Sequence, residues 1–189
     1  MTTRRESTIL VIDIGNTSTT LGLYDGNAVH RVHRLEKKDI TMFAVNRTLR
    51  AVAGKHRIAG AALASVAPSV NRWWDHAVND LFGCRPLHVT CRVDLGIKVT
   101  YPNPKTIGAD RLANAAGAVV KYGAPVIVGD FGTAVTFDVV TAKEGYIGGI
   151  IAPGPPLMFD YLAERTELLP RIEWAPIDSK IGKSTREAM

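Results

Sequence analysis

The sequence predicts an α/β protein made of two related halves. Each half contains an apolar strand that runs into an Asp-x-Gly turn, and a second strand follows the turn at once. In the first half residues 9–12 lead into Asp13, and in the second half residues 126–129 lead into Asp130. Apolar runs bounded by turn residues are typical of paired strands. The repeated motif therefore indicates duplicated domains that face each other.

The residues that follow each Asp-x-Gly turn suit a phosphate. Asn16, Thr17 and Ser18 come after the first glycine, and Thr133 comes after the second. Glycine permits close approach of the backbone, and hydroxyls and free backbone N–H groups are hydrogen-bond donors. The two turn carboxylates suit a cation that accompanies the phosphate. One such turn is most often only a hairpin, but two that each close an apolar strand favour a nucleotide between the halves.

The hydrophobic pattern places further strands and helices around these turns. In the first half we predict the order β-β-β-α-β-α-β, with one helix capped by Asp39 or Thr41 and a second capped by Ser69. Another short strand is predicted over residues 93–99. In the second half a helix precedes three strands, and a last helix is expected over about residues 157–165.

Composition limits the functions that the chain can have. Its 189 residues, 46% hydrophobic and 22% charged, are typical of a globular protein with a buried core. The net charge of +5 favours anionic ligands, but the basic residues are scattered, so we predict no nucleic-acid partner. The uncharged residues 58–71 are too few to span a bilayer, so no membrane association is predicted. Cys84 and Cys91 lack metal spacing, and we expect reduced thiols in a cytoplasmic protein.

Two other glycine-containing segments are not assigned to nucleotide binding. Gly182-Lys183-Ser184 lacks the earlier glycine that a P-loop requires. The Gly148-Gly149 pair lacks the G-x-G-x-x-G spacing of a dinucleotide-binding turn. Neither segment is therefore predicted to be a P-loop or a dinucleotide-binding turn.

Asp110 and Arg111 are the best candidates for the reacting centre. They follow a rigid loop rich in proline and glycine, residues 100–108, and they begin a helix predicted over residues 109–122. Opposite charges at a helix start often only complement the helix dipole. Between two phosphate-type turns, however, an aspartate can accept the proton of a substrate hydroxyl. An arginine beside it can bind an anionic substrate or the transferring phosphoryl group.

Four motifs, in this order, resemble those of the type III pantothenate kinases: Asp13-Ile-Gly-Asn-Thr17, Tyr101-x-Asn-Pro followed by Gly108-Ala-Asp-Arg111, Asp130-Phe-Gly-Thr133, and Gly148-Gly-x-Ile-x-Pro-Gly154. The resemblance extends from residue 9 to the C-terminus. It implies two related ribonuclease H-like (actin-like ATPase) domains, each a βββαβα-type mixed sheet with flanking helices. The first domain would span residues 1–100 and the second residues 101–189, with the nucleotide and substrate between them.

The same resemblance implies ATP-dependent phosphorylation of pantothenate to 4′-phosphopantothenate, the first step towards coenzyme A. Asp110 would accept the proton and Asp130 would bind a monovalent cation, potassium or ammonium, with Mg²⁺ as a further candidate beside ATP. The implied ATP contacts are Asp13, Ile14, Gly15, Asn16, Thr17, Ser18, Thr19, Thr20 and Thr133. The implied pantothenate contacts are Tyr101, Gly108, Ala109, Asp110, Arg111 and Thr185, the last reaching across the interface of a homodimer.

Members of this family continue past residue 189 with further helices. We therefore expect an incomplete second domain and a partly uncovered apolar sheet face. Two alternatives remain open at this point. One is another phosphotransferase or a phosphatase of the same superfamily, acting on a sugar or polyphosphate, which a substrate screen with ATP would reveal. The other is a non-catalytic nucleotide-binding or regulatory protein, such as a transcriptional activator, which a DNA-binding assay at physiological salt would test.

Overall fold

The computed structural model describes residues 8–173, 175–176 and 180–189. Within these ranges the chain forms a mixed α/β fold, as predicted. The strands and helices, in chain order, are β1 Thr8–Ile14, β2 Ser18–Tyr24, β3 Val29–Glu36, α1 Met42–Ala53, β4 Ile58–Ser65, α2 Pro68–Phe82, β5 Leu87–His88, α3 Ala109–Tyr122, β6 Val126–Phe131, β7 Ala134–Thr141, β8 Gly145–Pro153, α4 Pro155–Arg165 and α5 Thr185–Ala188.

The first sheet has five strands in the order β3-β2-β1-β4-β5. The hairpin partners β1–β2 and β2–β3 are antiparallel, whereas β1–β4 and β4–β5 are parallel. Alternate side chains of β1, β2 and β4 pack against α1 and α2 in one apolar core, which includes Leu10, Leu21, Leu63, Leu49 and Trp74. The predicted order of elements in this half is confirmed.

The start of each helix in the first half has a local cause. Thr41 caps α1, because its hydroxyl accepts a hydrogen bond from the backbone N–H of Ala44 at 3.1 Å. Asp39, the other candidate, lies in a short 3₁₀ turn before α1. The predicted cap Ser69 is wrong: α2 begins one residue earlier, at Pro68. The fixed φ of proline suits the first helical position, where no N–H is needed.

The second sheet consists of β6, β7 and β8 in antiparallel order. Helix α3 covers one face, where its Leu112 and Ala115 pack with Val140 and Tyr146. The strand predicted over residues 93–99 is wrong. This segment is irregular because its backbone pairs with a single strand residue, forming one isolated parallel bridge from Val99 to Tyr146. Helix α4 starts at its first proline, Pro155, slightly before the predicted position.

The other face of the second sheet carries exposed apolar side chains. They come from all three strands and include Ile127, Phe131, Phe137 and Ile150. Phe131 and Phe137 contact each other edge to face, with ring centroids 5.9 Å apart. The expected uncovered apolar face is therefore present. None of the helices in the described ranges has both the length and the apolar character that a membrane span requires.

Candidate active site

A cleft of about 960 Å³ lies between the turn that joins β1 to β2 and the turn that joins β6 to β7. The hydroxyl oxygens of Thr17 and Thr133 are 3.5 Å apart across it. The two Asp-x-Gly turns therefore face each other, as predicted. The predicted site residues that line this cleft are Asp13, Gly15, Asn16, Thr17, Ser18, Thr20, Asp110, Asp130 and Thr133.

Strand alternation decides which side chains of the first turn reach the cleft. Asp13 and Thr20 are direct cross-strand partners and both line the cleft. Ile14 and Thr19 form the next pair and point into the opposite, apolar core, where both are fully buried. The side chains of Ile14 and Thr19 therefore do not line the cleft, and the ATP contacts of these two residues stay predictions. Contact with a ligand at these two positions is left to backbone atoms.

The cleft also contains Arg34, which sequence reasoning did not include. Its position on β3 is opposite Thr20, so Asp13, Thr20 and Arg34 form one row across three strands. The Arg34 guanidinium contacts Glu36, with 3.1 Å between Nε and Oε1. The position of Arg34 opposite Thr20 places its guanidinium beside the hydroxyl-rich first turn. The register of the two hairpins is the signal that identifies it, because cross-strand partners share a face.

The second turn is held by α3 and α4. The side-chain amide of Asn114, on α3, donates to Asp130 Oδ2 at 3.1 Å. The backbone N–H of Gly154, which caps α4, donates to the carbonyl oxygen of Thr133 at 3.0 Å. A Cβ atom on Gly154 would lie only 2.1 Å from the carbonyl oxygen of Gly132. The positive end of α4 is therefore packed tightly against the Asp-x-Gly-Thr turn.

Asn114 was missed by sequence reasoning, although its position carries a signal. It lies four residues after Asp110 on α3, and side chains at this spacing share one face of a helix. That face looks towards the second turn, where Asn114 meets Asp130. The same face brings Asp110 to the cleft.

Three carboxylates, Asp13, Asp110 and Asp130, meet in the cleft. The pKa of Asp13 is raised above its usual value, first because burial reduces its hydration and then because of the negative charges of Asp110 and Asp130. One oxygen of Asp110 accepts a hydrogen bond from the backbone N–H of Arg111 at 2.7 Å. The arrangement favours groups that supply positive charge, and a nucleotide with its cations is such a ligand.

Comparison with known proteins identifies the family. The sequence model described as type III pantothenate kinase matches residues 9–189. A protein named type III pantothenate kinase from Thermus thermophilus is 42% identical over 188 residues, covering 96% of this chain and 74% of that protein. One from an Anaeromyxobacter species is 38% identical over 183 residues, covering 94% of this chain and 72% of that protein. The chain belongs to the type III pantothenate kinase family.

Solved structures show a weaker likeness to this kinase. A Campylobacter jejuni protein described as a Baf family transcriptional activator has a TM-score of 0.49 and 16% identity, covering 95% of this chain and 70% of that one. Acetate kinase from Porphyromonas gingivalis has a TM-score of 0.44 and 13% identity, and the match covers 84% of this chain and 64% of that one. Both scores are low, and the family assignment depends on the sequence comparisons alone.

Arg111 of this kinase is directed away from the cleft. Its Nε and Nη2 atoms contact Asp138 Oδ1 at 2.8 and 2.6 Å, and its side chain is only 14% exposed. The Tyr146 hydroxyl donates to the same oxygen at 2.6 Å. Burial alone would lower the pKa of Arg111, but its contacts with Asp138 raise it on balance. Burial, and then the bond to Asp138, also raise the pKa of Tyr146. Arg111 is therefore a cation that is paired with Asp138.

Asp138 and Tyr146 were missed because no local pattern connects them with Arg111. Asp138 interrupts the apolar strand β7, and a carboxylate at an inward position is the one sequence signal that it needs a partner. The identity of that partner depends on how α3 packs on the sheet. Only the three-dimensional structure supplies this information.

The other residues predicted to bind pantothenate lie outside the cleft lining. Tyr101 is half-buried, and its ring meets Tyr146 edge to face with centroids 6.3 Å apart. Gly108 caps α3 and Ala109 is its first residue, and both line a neighbouring cavity of about 510 Å³. Thr185 is the exposed first residue of α5. The contacts of these residues with pantothenate stay predictions.

The donor set of the cleft suits a hard cation, although it is not a complete cage. In the described part of the chain, no group of three or more His, Cys, Asp or Glu side chains is arranged to hold a metal ion. Mg²⁺ in nucleotide sites is usually held by one or two carboxylates together with phosphates and waters. The charge repulsion that helps to raise the pKa of Asp13 would be relieved by such an ion. The residues therefore fit a cation that arrives with its nucleotide.

Proposed function

We propose that this kinase transfers the γ-phosphoryl group of ATP to pantothenate, giving ADP and 4′-phosphopantothenate, the first step towards coenzyme A. One observation carries the proposal: two phosphate-type turns and Asp110 line a single cleft, with the hydroxyls of Thr17 and Thr133 only 3.5 Å apart. The name shared by the relatives supplies the substrate. The geometry of the cleft supports phosphoryl transfer as the reaction.

Phosphate binding is assigned to the two turns. The hydroxyls of Thr17, Ser18, Thr20 and Thr133 face the cleft, and turn N–H groups are additional donors to phosphate oxygens. The start of α4 abuts the second turn, so its partial positive charge favours the same anion. These groups hold the nucleotide in place, and positioning together with electrostatic stabilisation provides most of the catalysis in phosphoryl transfer.

Asp110 is assigned as the general base. It lines the cleft from the first turn of α3, between the two phosphate-type turns. In the proposed step the pantothenate hydroxyl oxygen attacks the γ-phosphorus, and the bond from that phosphorus to the bridging oxygen of ADP breaks. Asp110 accepts the proton that leaves the attacking hydroxyl. Its backbone contact with Arg111 orients the carboxylate within the first helical turn.

Cations are assigned to the carboxylates. Asp130, oriented by Asn114, would hold a monovalent cation, potassium or ammonium, and Asp13 would face Mg²⁺ that accompanies ATP. When bound, such ions neutralise charge on the phosphate oxygens. The chain's own contribution is to hold the carboxylates at the cleft wall. Lower turnover in sodium than in potassium is the expected consequence for Asp130.

Thr185 is assigned to a pantothenate site that is shared in a homodimer. It is exposed on its own chain and does not line that chain's cleft, which is compatible with its reaching the site of a neighbouring chain. The test mixes two inactive variants, Asp110→Asn and Thr185→Ala. If sites are shared, mixed dimers regain one intact site, and part of the activity returns on mixing. No return of activity would contradict a shared site.

The deciding experiment measures ADP release by the purified chain with ATP and pantothenate, in potassium and separately in sodium. The control reactions omit pantothenate or replace it with a panel of sugars. Pantothenate-dependent turnover that is faster in potassium supports the proposal. Turnover with a sugar and none with pantothenate would instead assign the cleft to another phosphotransferase of the superfamily.

A further inference from the structure

Two side chains predicted to bind pantothenate rest on the same buried pair. Arg111 is anchored by Asp138, whose Oδ1 atom lies 2.8 Å from its Nε and 2.6 Å from its Nη2. Tyr146 donates to that oxygen at 2.6 Å, and its ring meets the Tyr101 ring edge to face. Asp138 is 1% exposed and Tyr146 is fully buried. One interior structure therefore supports both predicted substrate contacts.

Two adjacent glycines, which begin the fourth motif of the sequence, lie beside this arrangement. A Cβ atom on Gly149 would lie 2.7 Å from Arg111 Nη2 and 2.0 Å from the carbonyl oxygen of Phe137. A Cβ atom on Gly148 would lie 3.4 Å from the Tyr101 ring, and Gly148 has a φ of 140°, which a side chain disfavours. The absence of a side chain at Gly149 is therefore explained by the close approach of the Phe137 carbonyl and of Arg111, and at Gly148 by its backbone conformation beside Tyr101.

Asp138 and Tyr146 have two effects on Arg111, one on its orientation and one on its charge. A guanidinium has five N–H donors in a rigid plane, and contacts through Nε and Nη2 fix the direction of all of them. The contacts with Asp138 use Nε and Nη2, so the Nη1 donors are the ones that we expect to bind a carboxylate. Because Asp138 is nearly fully buried, its charge depends on Arg111 and Tyr146 for compensation. The same contacts therefore hold the cation and fix its orientation.

We propose that Asp138 and Tyr146 are positioning residues for the substrate, acting through Arg111 and Tyr101 on the carboxylate of pantothenate. This inference rests on the proposed function, since it takes the acceptor from it. Neither Asp138 nor Tyr146 lines the cleft to which the nucleotide is assigned. Their loss should weaken capture of the acceptor and leave the nucleotide site intact.

The experiment compares steady-state kinetics of the wild type, Asp138→Asn and Tyr146→Phe, varying pantothenate and ATP in turn. We expect the KM for pantothenate to rise by roughly tenfold or more in Asp138→Asn and by about threefold in Tyr146→Phe. The KM for ATP should stay within about twofold of the wild type. Tyr146→Phe removes only a hydroxyl, so it keeps the test informative if Asp138→Asn fails to fold.

Val140→Ala is the matched control. Val140 lies two residues after Asp138 on the same face of β7 and belongs to the same apolar core. Its truncation should lower the melting temperature but leave the KM for pantothenate within about twofold of the wild type. An equal rise in this control, or no rise in the two network variants, would overturn the positioning role.

A second readout separates this inference from the proposed function. In protein labelled with ¹⁵N, the Nε–H signal of Arg111 should exchange slowly with water in the wild type and rapidly in Asp138→Asn. If the wild type shows this protected signal but neither binds nor phosphorylates pantothenate, the proposed function fails while the anchoring of Arg111 stands. If the wild type phosphorylates pantothenate and its Arg111 signal exchanges rapidly, the inference fails and the function stands.

Discussion

Two aspartates on the first antiparallel meander sit in nearly opposite environments. Asp25 follows β2 at an Asp-Gly turn, where its Oδ1 accepts N–H bonds from Asn27 and Ala28 at 2.8 and 2.9 Å, and its Oδ2 contacts His30 at 2.8 Å. These bonds lower its pKa to about 2. Asp13, near the end of β1, faces two other carboxylates across the cleft, and its pKa is raised. An ionised aspartate thus stabilises the Asp25 turn, and it is electrostatically unfavourable in the Asp13 turn.

The contrast shows how a hairpin turn becomes a ligand site. The Asp25 carboxylate is bound by backbone N–H groups of its own turn and by His30, and it does not line the cleft. The Asp13 turn directs its carboxylate and hydroxyls into the cleft, where they meet Asp110 and Asp130. Repulsion among carboxylates in the free protein is expected at a site that binds a ligand together with its cations.

The most severe change that we predict is the loss of catalysis in Asp110→Asn. The amide keeps the shape of the carboxylate but cannot accept the proton, so kcat should fall by roughly 10²–10⁴-fold. ATP binding, measured by calorimetry, should remain. Asp25→Asn is the matched control, because it removes a carboxylate outside the cleft, and it should leave kcat unchanged. Full activity in Asp110→Asn would remove this residue from the chemistry.

A second prediction concerns Asp13→Asn, which should lower turnover and yet stabilise the free protein. The raised pKa means that ionised Asp13 is less favourable in the folded chain than in the unfolded one. Replacing it with a neutral amide should raise the melting temperature at neutral pH by a few degrees, roughly the size of other single stabilising changes.

Thermal unfolding without ligand and ADP release with ATP and pantothenate check this prediction together. A variant that is both less stable and less active would show that Asp13 supports the fold in the way that Asp25 does. A stabilised and less active variant would confirm the division between the two turns.

The same division explains how much of the molecule was predictable. The Asp-x-Gly turns, the strands beside them and helix α3 follow from short-range patterns, and the structure confirms them. The motif did not predict which side chains reach the cleft, because it gives residues in sequence, whereas strand alternation sends the Thr19 side chain into the core. The partners Asn114 and Asp138 were missed because they depend on the packing of α3 against the second sheet. A local sequence motif carries no information about which distant elements pack together.

The third prediction concerns the turn that serves the fold. Asp25→Ala removes the acceptor of two backbone N–H groups and the contact with His30, so the melting temperature should fall by a few degrees. Turnover at a temperature well below unfolding should stay unchanged. The melting temperature of Asp25→Asn should fall less, since its amide oxygen can still accept hydrogen bonds from the backbone. Lower turnover in a fully folded Asp25→Ala would show that the two turns are coupled.

The smallest effect is the pH dependence that distinguishes the two aspartates. Asp25 has a lowered pKa, so its contribution to the free energy of unfolding is complete above the unfolded value of 3.8 and is lost as pH falls towards about 2. Asp13 has a raised pKa, so the cost of its ionisation is present at neutral pH and vanishes as pH falls to 3.8.

Denaturant unfolding at pH 7, 5, 4 and 3 measures both changes as differences from the wild type. Asp13→Asn should lose its advantage by pH 4, whereas Asp25→Ala should keep most of its deficit there and lose it only below that pH. If both differences close over the same interval, the two carboxylates have the same environment in solution. The separation of a structural turn from a ligand-binding turn would then have to come from the neighbouring hydroxyls, because charge would no longer distinguish them.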